Sequence, residues 1–225
     1  MFLVKGKDLW EVECKMHFSW CLRKMLKLRH VLQVLVPSRV STVRRIWDEI
    51  REPRSKVRWH RLVWFGFNVP RHSVVLWMSI LNRLPTFDRL QGKGMILENH
   101  CILCEAGAES RNHLFADCLF SRHIWNSILG MCGLTRRMLD WEGELNWLCT
   151  CLKGKSLIVF ILRLAWCSYV YFIWEERNLR RYRGHSRDCN SVLACVKEVV
   201  NTRVQKKSIR LDTVNSNLYA VWGIS

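Results

Sequence analysis

The stretch CILCEAGAESRNHLFADC, residues 101–118, holds three cysteines and one histidine within 18 residues. Their spacing is Cys101-x2-Cys104-x8-His113-x4-Cys118. Two cysteines separated by two residues can bind one metal ion from a single tight turn, and the later histidine and cysteine complete a tetrahedron. Four protein ligands leave no position for water, so the spacing predicts a structural metal site. The histidine favours Zn²⁺ over an iron–sulfur cluster.

Coincidence is the alternative, because a chain with 11 cysteines contains some short spacings by chance. An odd number of cysteines cannot pair completely within one chain. The first residues meet charge at Lys5 and contain no apolar run long enough for a secretory signal, so we expect an intracellular protein of the nucleus or cytoplasm. In such a reducing compartment, closely spaced cysteines indicate metal before disulfide. His100, His123 and Cys149 are weaker ligand candidates.

The composition predicts a helical globular protein of 225 residues. Apolar residues make up 49% and charged residues 24%, which excludes wholesale disorder. Only 11 Gly and 4 Pro are available for tight turns, which favours long helices over a β-sandwich. We predict a mainly α fold, with an irregular helical domain, a small Cys3His zinc site in an inter-helix loop, and a long apolar helix after it.

Apolar periodicity and capping residues predict the individual helices. The first predicted helix is basic and amphipathic and covers Trp20–Val36, and the second is capped by Ser41 with Val43, Ile46, Trp47 and Ile50 on a single face. The third begins at Pro70 with Val74, Val75, Trp77, Met78 and Leu81 on a single face, and a short fourth helix runs through Leu90. In the second half of the chain, a fifth predicted helix is capped by Ser121 with Ile124, Trp125, Ile128 and Leu129 on a single face, and a long apolar helix covers Ser156–Tyr182. The last predicted helix is capped by Asn190 or Ser191 and points Val192, Cys195, Val196, Val199 and Val200 inward. The predicted division is a basic helical region at 1–61, a zinc-binding domain at 62–133, and a helical region with a basic segment at 134–225.

One apolar segment is long enough to be weighed as a membrane span. Leu157 to Trp174 is 18 residues interrupted only by Arg163. That length is at the lower limit for a span, and an arginine in mid-bilayer costs about 3 kcal/mol. A helix buried in a protein core, with Arg163 paired or reaching solvent, explains the segment equally well. We expect no membrane, and the sequence leaves the two interpretations open.

The positive charge is concentrated at the two ends of the chain. The formal net charge is +17, from 36 Lys and Arg against 19 Asp and Glu. Residues 1–61 contain 15 basic and 6 acidic residues, and residues 177–210 contain 10 and 2. An excess of this size predicts a polyanionic partner, RNA or DNA, contacted by the ends. The candidate contact residues are Arg23, Lys24, Lys27, Arg29, Arg177, Arg180, Arg181 and Arg183.

Residues 64–125 also resemble a known family. The matching residues are Pro70, Trp77, Leu84-Pro85-Thr86, Asp88-Arg89-Leu90, Cys101, Cys104, Glu109, His113-Leu114-Phe115, Cys118 and Ile124-Trp125. In this order they resemble the zinc-binding domain that follows the reverse transcriptase in plant non-LTR (LINE-type) retrotransposons. The resemblance implies that Cys101, Cys104, His113 and Cys118 bind Zn²⁺ within a small helical domain. Leu119 departs from the pattern, because such domains often place a proline there.

The sequence contains none of the motifs that would indicate an enzyme. It has no Tyr-x-Asp-Asp polymerase signature, no acidic quartet for a ribonuclease H, no GxSxG, no P-loop and no HExxH. We therefore predict a retrotransposon-derived, non-catalytic protein with no small-molecule substrate, which binds structural zinc and, through its basic ends, nucleic acid. The alternative is a structural or interaction remnant of a polyprotein, which binds another protein or itself and has no nucleic-acid activity.

Overall fold

A computed structural model describes residues 3–4, 7–8, 12–16, 18–28, 52, 55–96, 99–207 and 216–224. These residues belong to two compact units, 1–55 and 56–225. The predicted helix from Ser41 and the second half of the predicted Trp20–Val36 helix lie outside the described residues. The predicted division at 61/62 and 133/134 stays a prediction.

The described part of the first unit holds a small hairpin and one helix. Strands β1 (Leu3–Val4) and β2 (Lys7–Asp8) pair antiparallel, and α1 runs over Trp20–Lys27. The hydroxyl of Ser19 accepts a hydrogen bond from the amide of Leu22 at 3.3 Å, which satisfies one of the free amides at the helix start. Lys24 and Lys27 are exposed on α1.

The described part of the second unit is helical. Its elements are α2 (His60–Val63), α3 (Pro70–Ile80), α4 (Phe87–Gln91), a π-helical turn (His113–Asp117), α5 (Leu119–Met131), α6 (Trp141–Cys151), α7 (Leu157–Arg183), α8 (Cys189–Lys206) and α9 (Ser216–Trp222). The prediction of a mainly α fold is confirmed. So is the prediction of a long apolar helix, which is α7.

Helix α7 is the centre of this unit. It packs against α3 and α8 along its length and also contacts α2, α5 and the π-helical turn. Trp166 of α7 packs in the core with two other fully buried tryptophans: its ring lies 4.8 Å from that of Trp125 and 5.7 Å from that of Trp141. The core therefore joins residues from both sides of position 133, and the apolar segment 157–174 is largely inside it.

The only helix of the described residues that is long and apolar enough to cross a membrane is α7. In its most apolar 18-residue window, 78% of the residues are buried by the rest of the protein. Arg163 extends to the edge of the core, where a terminal nitrogen donates to the carbonyl of Leu152. The burial favours the core-helix interpretation of residues 157–174.

The helix boundaries follow recognisable local signals. Pro70 occupies the first position of α3, where its missing amide removes no helical hydrogen bond. Asp140 caps α6 by accepting from the amide of Gly143 at 2.9 Å, and Asp188 caps α8 by accepting from the amide of Ser191 at 2.8 Å. Gly184 ends α7 with φ +65°, the left-handed conformation that glycine adopts without a steric penalty.

Two details of the predicted helices are wrong. The predicted apolar face of α3 is not the buried one, because Val74 and Leu81 are exposed while the buried positions are His72, Ser73, Leu76 and Ser79. The predicted caps are also displaced: α5 is capped by Cys118, with Ser121 buried inside the helix, and α8 is capped by Asp188. The predicted inward face of α5 is confirmed, and that of α8 in large part: the buried residues are Ile124, Trp125, Ile128, Leu129, Val192, Val196 and Val200.

Candidate metal centre and the basic residues around it

The structure brings Cys101, Cys104, His113 and Cys118 together. One ligand atom from each residue lies within 4.8 Å of the other three. The Sγ atoms of Cys101 and Cys118 are 3.9 Å apart, and Cys104 Sγ is 3.2 Å from His113 Nε2. A zinc–sulfur bond of about 2.3 Å places two sulfurs of a tetrahedron about 3.8 Å apart. These donors therefore match the size and chemistry of a four-coordinate Zn²⁺ site.

The first two cysteines lie on a tight loop. The amide of Cys101 donates to the carbonyl of Gly107 at 2.7 Å, and the amide of Glu105 donates to the carbonyl of Cys101 at 2.8 Å. Glu105 has φ +58°, which reverses the chain directly after Cys104. Gly107 lies against the imidazole of His113: a Cβ at this position would meet His113 Cε1 at 3.1 Å. The loop therefore brings the backbone of Gly107 close to the ring of His113, where a larger residue would push against the imidazole.

The other two ligands flank the π-helical turn. His113 begins it, with its amide donating to Ser110 Oγ at 3.1 Å. Cys118 follows it, with its amide donating to the carbonyl of His113 at 2.7 Å, and caps α5. The wider turn closes the distance between a histidine and a cysteine five residues later, and π-helical segments often occur at functional sites.

Electrostatics favour a thiolate at Cys118. A hydrogen bond donated by the Cys101 thiol lowers the pKa of Cys118 to about 5, burial opposes it, and the α5 amides of Ser121 and Phe120 lower it further. The same Cys101–Cys118 hydrogen bond, together with burial, raises the pKa of Cys101. Metal-binding cysteines bind as thiolates, so a helix N-terminus at Cys118 supports the binding form.

A buried ion pair connects the loop between Cys101 and His113 to α7. Glu109 lies between Cys104 and His113, and its carboxylate accepts from Arg177 on α7, with Arg177 Nη2 at 2.9 Å. Neither side chain is exposed. The same carboxylate accepts from the amide of Phe87 at 2.9 Å, and the Arg177 guanidinium lies 4.3 Å from the Phe87 ring centroid. The loop is thereby attached to both α4 and α7.

A second arginine of α7 reaches the cysteine loop itself. Arg180 Nη1 donates to the carbonyls of Ile102 at 3.4 Å and Leu103 at 3.3 Å, the two residues that separate Cys101 from Cys104. Arg180 also donates to buried Glu176 at 2.8 Å. Burial raises the pKa of Glu176, but hydrogen bonds from Arg180 and Arg187 outweigh it and hold that pKa below its usual value. Arg180 is committed to the fold by these contacts.

These contacts correct part of the predicted nucleic-acid surface. Arg177 has no exposed surface and cannot contact phosphate, so its predicted role is wrong. Arg180 is mostly buried and is paired with Glu176. Arg181 and Arg183 are exposed on α7, as Lys24 and Lys27 are on α1, and Arg23 is half-buried. Arg29 lies outside the described residues. In the sequence these α7 arginines are visible only as positive charge, because the acceptors Glu109, Ile102 and Leu103 lie more than 60 residues away.

The weaker ligand candidates do not belong to this cluster. His100 and His123 are exposed, and burial raises the pKa of the half-buried Cys149 thiol. Among the residues that the structure describes, the four-residue cluster is the one group of His, Cys, Asp and Glu that could hold a metal.

Residues 41–125 match the family model described as zinc-binding in reverse transcriptase. The match includes all four ligand candidates and ends at Trp125, in the middle of α5. It supports a zinc-binding accessory domain of that kind at these residues. No curated protein and no solved structure matches the chain.

Proposed function

We propose that this chain is a retrotransposon-derived accessory protein that binds one structural Zn²⁺ and, through exposed basic side chains, RNA or DNA. We further propose that it has no catalytic activity, that its domain derives from plant LINE-type elements, and that it acts in the nucleus or cytoplasm. The observation that carries the proposal is the Cys3His cluster inside the matched residues. The motif order from Pro70 to Trp125 supports the LINE-type origin.

The role proposed for zinc is to hold the fold together. Cys101, Cys104, His113 and Cys118 would supply four ligands, which leaves no position for a reactive water. Metal binding at such sites contributes on the order of 10 kcal/mol to folding. Because Glu109 and Arg180 attach the loop to α4 and α7, an ordered metal centre would stabilise the core and not only the loop.

Nucleic-acid binding is supported by charge. The chain carries a net charge of +17, and Lys24, Lys27, Arg181 and Arg183 are exposed. Lys and Arg that neutralise phosphates release counterions, which gives an affinity that falls steeply with salt. The tryptophans contribute less, since Trp125, Trp141 and Trp166 are fully buried and cannot stack on bases.

A structural or interaction role is the second candidate. Its support is a set of exposed apolar side chains on the second unit: Trp64, Phe67, Val74 and Leu119. Exposed apolar surface of this kind marks contacts with another protein or with a second copy of the chain. This candidate predicts self-association or a protein partner, and no salt-dependent affinity for nucleic acid.

Metal content tests the proposed zinc site. Purified protein should contain one zinc per chain by elemental analysis, and Cys104→Ser or His113→Ala should lose it together with helicity around residues 85–125. Cys151→Ser is the matched control, because Cys151 is exposed and outside the cluster. A Cys104→Ser protein with full zinc content and native helicity would show that the ligand assignment is wrong.

Salt dependence tests the nucleic-acid proposal against the alternative. Binding of a labelled single-stranded oligonucleotide between about 50 and 200 mM salt should give a log–log slope of several units. A flat response together with concentration-dependent self-association would favour the interaction role.

A further inference from the structure

A basic cavity lies in the second unit, at residues that are neither metal-ligand candidates nor among the basic residues predicted to contact nucleic acid. It has a volume of about 290 Å³ and is formed by the segment that leads into α2, the end of α6 and the first half of α7. Water takes about 30 Å³ per molecule in the liquid, so the cavity has room for a phosphate group with ordered water. Its basic lining residues are Lys56, Arg58, His60, Arg61, Lys153 and Arg163.

We propose that this cavity binds a phosphate group of a single-stranded nucleic-acid backbone. The inference rests on the proposed nucleic-acid function and gives it a defined contact site. Of the described residues that line the cavity, none is acidic, and the remainder are apolar. Guanidinium groups are suited to phosphate because their planar donors can pair with two oxygens.

Arg163 is the inner wall of this basic cavity. It comes from the buried helix α7 and is half-buried, and one terminal nitrogen donates to the carbonyl of Leu152. Its Nε atom is buried and has no hydrogen-bond partner. Burial lowers the pKa of Arg163, and the nearby charge of Arg61 lowers it further. A bound anion would relieve the repulsion between the two arginines.

Glu142, an acidic residue near Arg58, does not neutralise the basic cavity. Glu142 approaches Arg58 at 3.9 Å, with both side chains 57% exposed, and it lies closer to Arg111, at 3.0 Å. An exposed pair at that distance is worth little. Arg58 also donates to the amide oxygen of Asn146 at 3.1 Å. Lys56, Arg61 and Lys153 are exposed, and the structure gives them no ion pair among the described residues.

The test compares two double variants with the same change in net charge. Arg61→Gln with Lys153→Gln removes two exposed cations from the cavity, whereas Arg83→Gln with Arg137→Gln removes two exposed cations elsewhere on the same unit. All four positions are exposed, so we expect both proteins to fold. Affinity for a labelled 12-nucleotide single-stranded RNA is measured by anisotropy as a function of salt, with inorganic phosphate and a poly-glutamate peptide as competitors.

We expect the cavity variant to bind the RNA at least tenfold more weakly than the control variant. Loss of the one phosphate contact that the cavity makes should also reduce the log–log salt slope by about 0.7. Equal affinities of the two variants, with binding retained, would overturn the cavity proposal and leave the proposed function standing. An RNA that does not bind the wild-type protein at all would overturn both. If poly-glutamate displaced the labelled RNA as well as unlabelled RNA does, the cavity would be assigned to an acidic peptide. If inorganic phosphate displaced the labelled RNA at the same concentration as unlabelled RNA does, the cavity would be assigned to the free ion. Either result overturns the proposal.

Discussion

Arg177 and Glu109 form an ion pair with no exposed surface, in which Arg177 Nη2 lies 2.9 Å from Glu109 Oε1 and Arg177 Nε lies 3.1 Å from Oε2. Glu109 belongs to the loop between two ligand candidates, and Arg177 to the central helix α7. The pair therefore joins the loop to the core by a contact between residues 68 positions apart. Phe87 completes the arrangement, because its amide donates to Glu109 and its ring lies against Arg177.

We predict that Arg177→Met destabilises the zinc-loaded protein by about 3–5 kcal/mol, because Glu109 would be left buried without a counter-charge. Urea unfolding measures the change. The double variant Arg177→Met with Glu109→Gln should recover part of the loss, since the uncompensated charge is then absent. Arg183→Met is the matched control, because Arg183 is exposed at the end of the same helix. Equal stability of Arg177→Met and Arg183→Met would show that the pair contributes nothing.

Gly107→Ala should weaken zinc binding without unfolding the protein. The added Cβ would lie 3.1 Å from Cε1 and 3.4 Å from Nδ1 of His113, so the imidazole must move by a few tenths of an ångström. Mutation of the residues that orient metal ligands typically costs 10- to 100-fold in metal affinity, and we expect a loss on this scale. Competition with a zinc chelator measures the affinity.

The control for this prediction is Gly130→Ala. Gly130 lies inside α5, is exposed, and has open space where a Cβ would be. An alanine there should stabilise the helix by about 0.5–1 kcal/mol and leave zinc affinity unchanged. If Gly107→Ala kept wild-type zinc affinity, the close contact with the imidazole would have no bearing on metal binding.

The metal cluster could be predicted from sequence because its signal is local. Two cysteines separated by two residues can bind one ion from a single turn, and the structure places all four donors together. The roles of Arg177 and Arg180 could not be predicted, because their partners Glu109, Ile102 and Leu103 are remote in sequence. A run of arginines at a helix end has the same sequence pattern whether the charges face solvent or buried acceptors.

Helix α3 shows why the pattern of apolar residues predicts the wrong buried face. Its buried positions include two serines and a histidine, which periodicity analysis counts as polar and therefore exposed. Each is satisfied inside the protein: Ser73 donates to the carbonyl of Val63 at 2.9 Å, Ser79 to that of Leu76 at 2.7 Å, and His72 pairs with Ser168 at 3.2 Å. The apolar pattern does not predict helix α6, although Asp140 is a favourable cap, because the buried Glu144 interrupts its apolar face.

Stability should depend on pH through His72. The imidazole is almost fully buried and stacks on Tyr171 with ring centroids 4.0 Å apart. Burial, with the charges of Arg71 and Arg203, lowers the pKa of His72 to about 4. The unfolded chain, with a histidine pKa near 6.5, binds a proton more readily than the folded one, so stability is full above about pH 6.5 and is lost as the pH falls towards 4. The shift corresponds to about 3 kcal/mol.

Comparison with His72→Gln isolates this contribution from acid-induced loss of zinc, which affects both proteins alike. The variant keeps a hydrogen-bonding side chain towards Ser168 but has no proton to bind in this range. The difference in free energy of unfolding between the two proteins should shrink as the pH falls from 6.5 to 4. A difference that stays constant over this range would mean that His72 has the same pKa in the folded and unfolded states.

Arg180 and Arg181 are neighbours on α7 that should behave differently on substitution. Arg180 donates towards the carbonyls of Ile102 and Leu103 within the cysteine loop, whereas Arg181 is exposed and lies 5.0 Å from the Phe87 ring. We expect Arg180→Gln to lower zinc affinity about tenfold, because residues that orient a metal-binding loop affect affinity on that scale. Arg181→Gln removes the same charge from the same helix and should leave zinc affinity unchanged. Equal losses for the two variants in chelator competition would mean that the total charge of the helix acts on the metal, and that the hydrogen bonds of Arg180 do not.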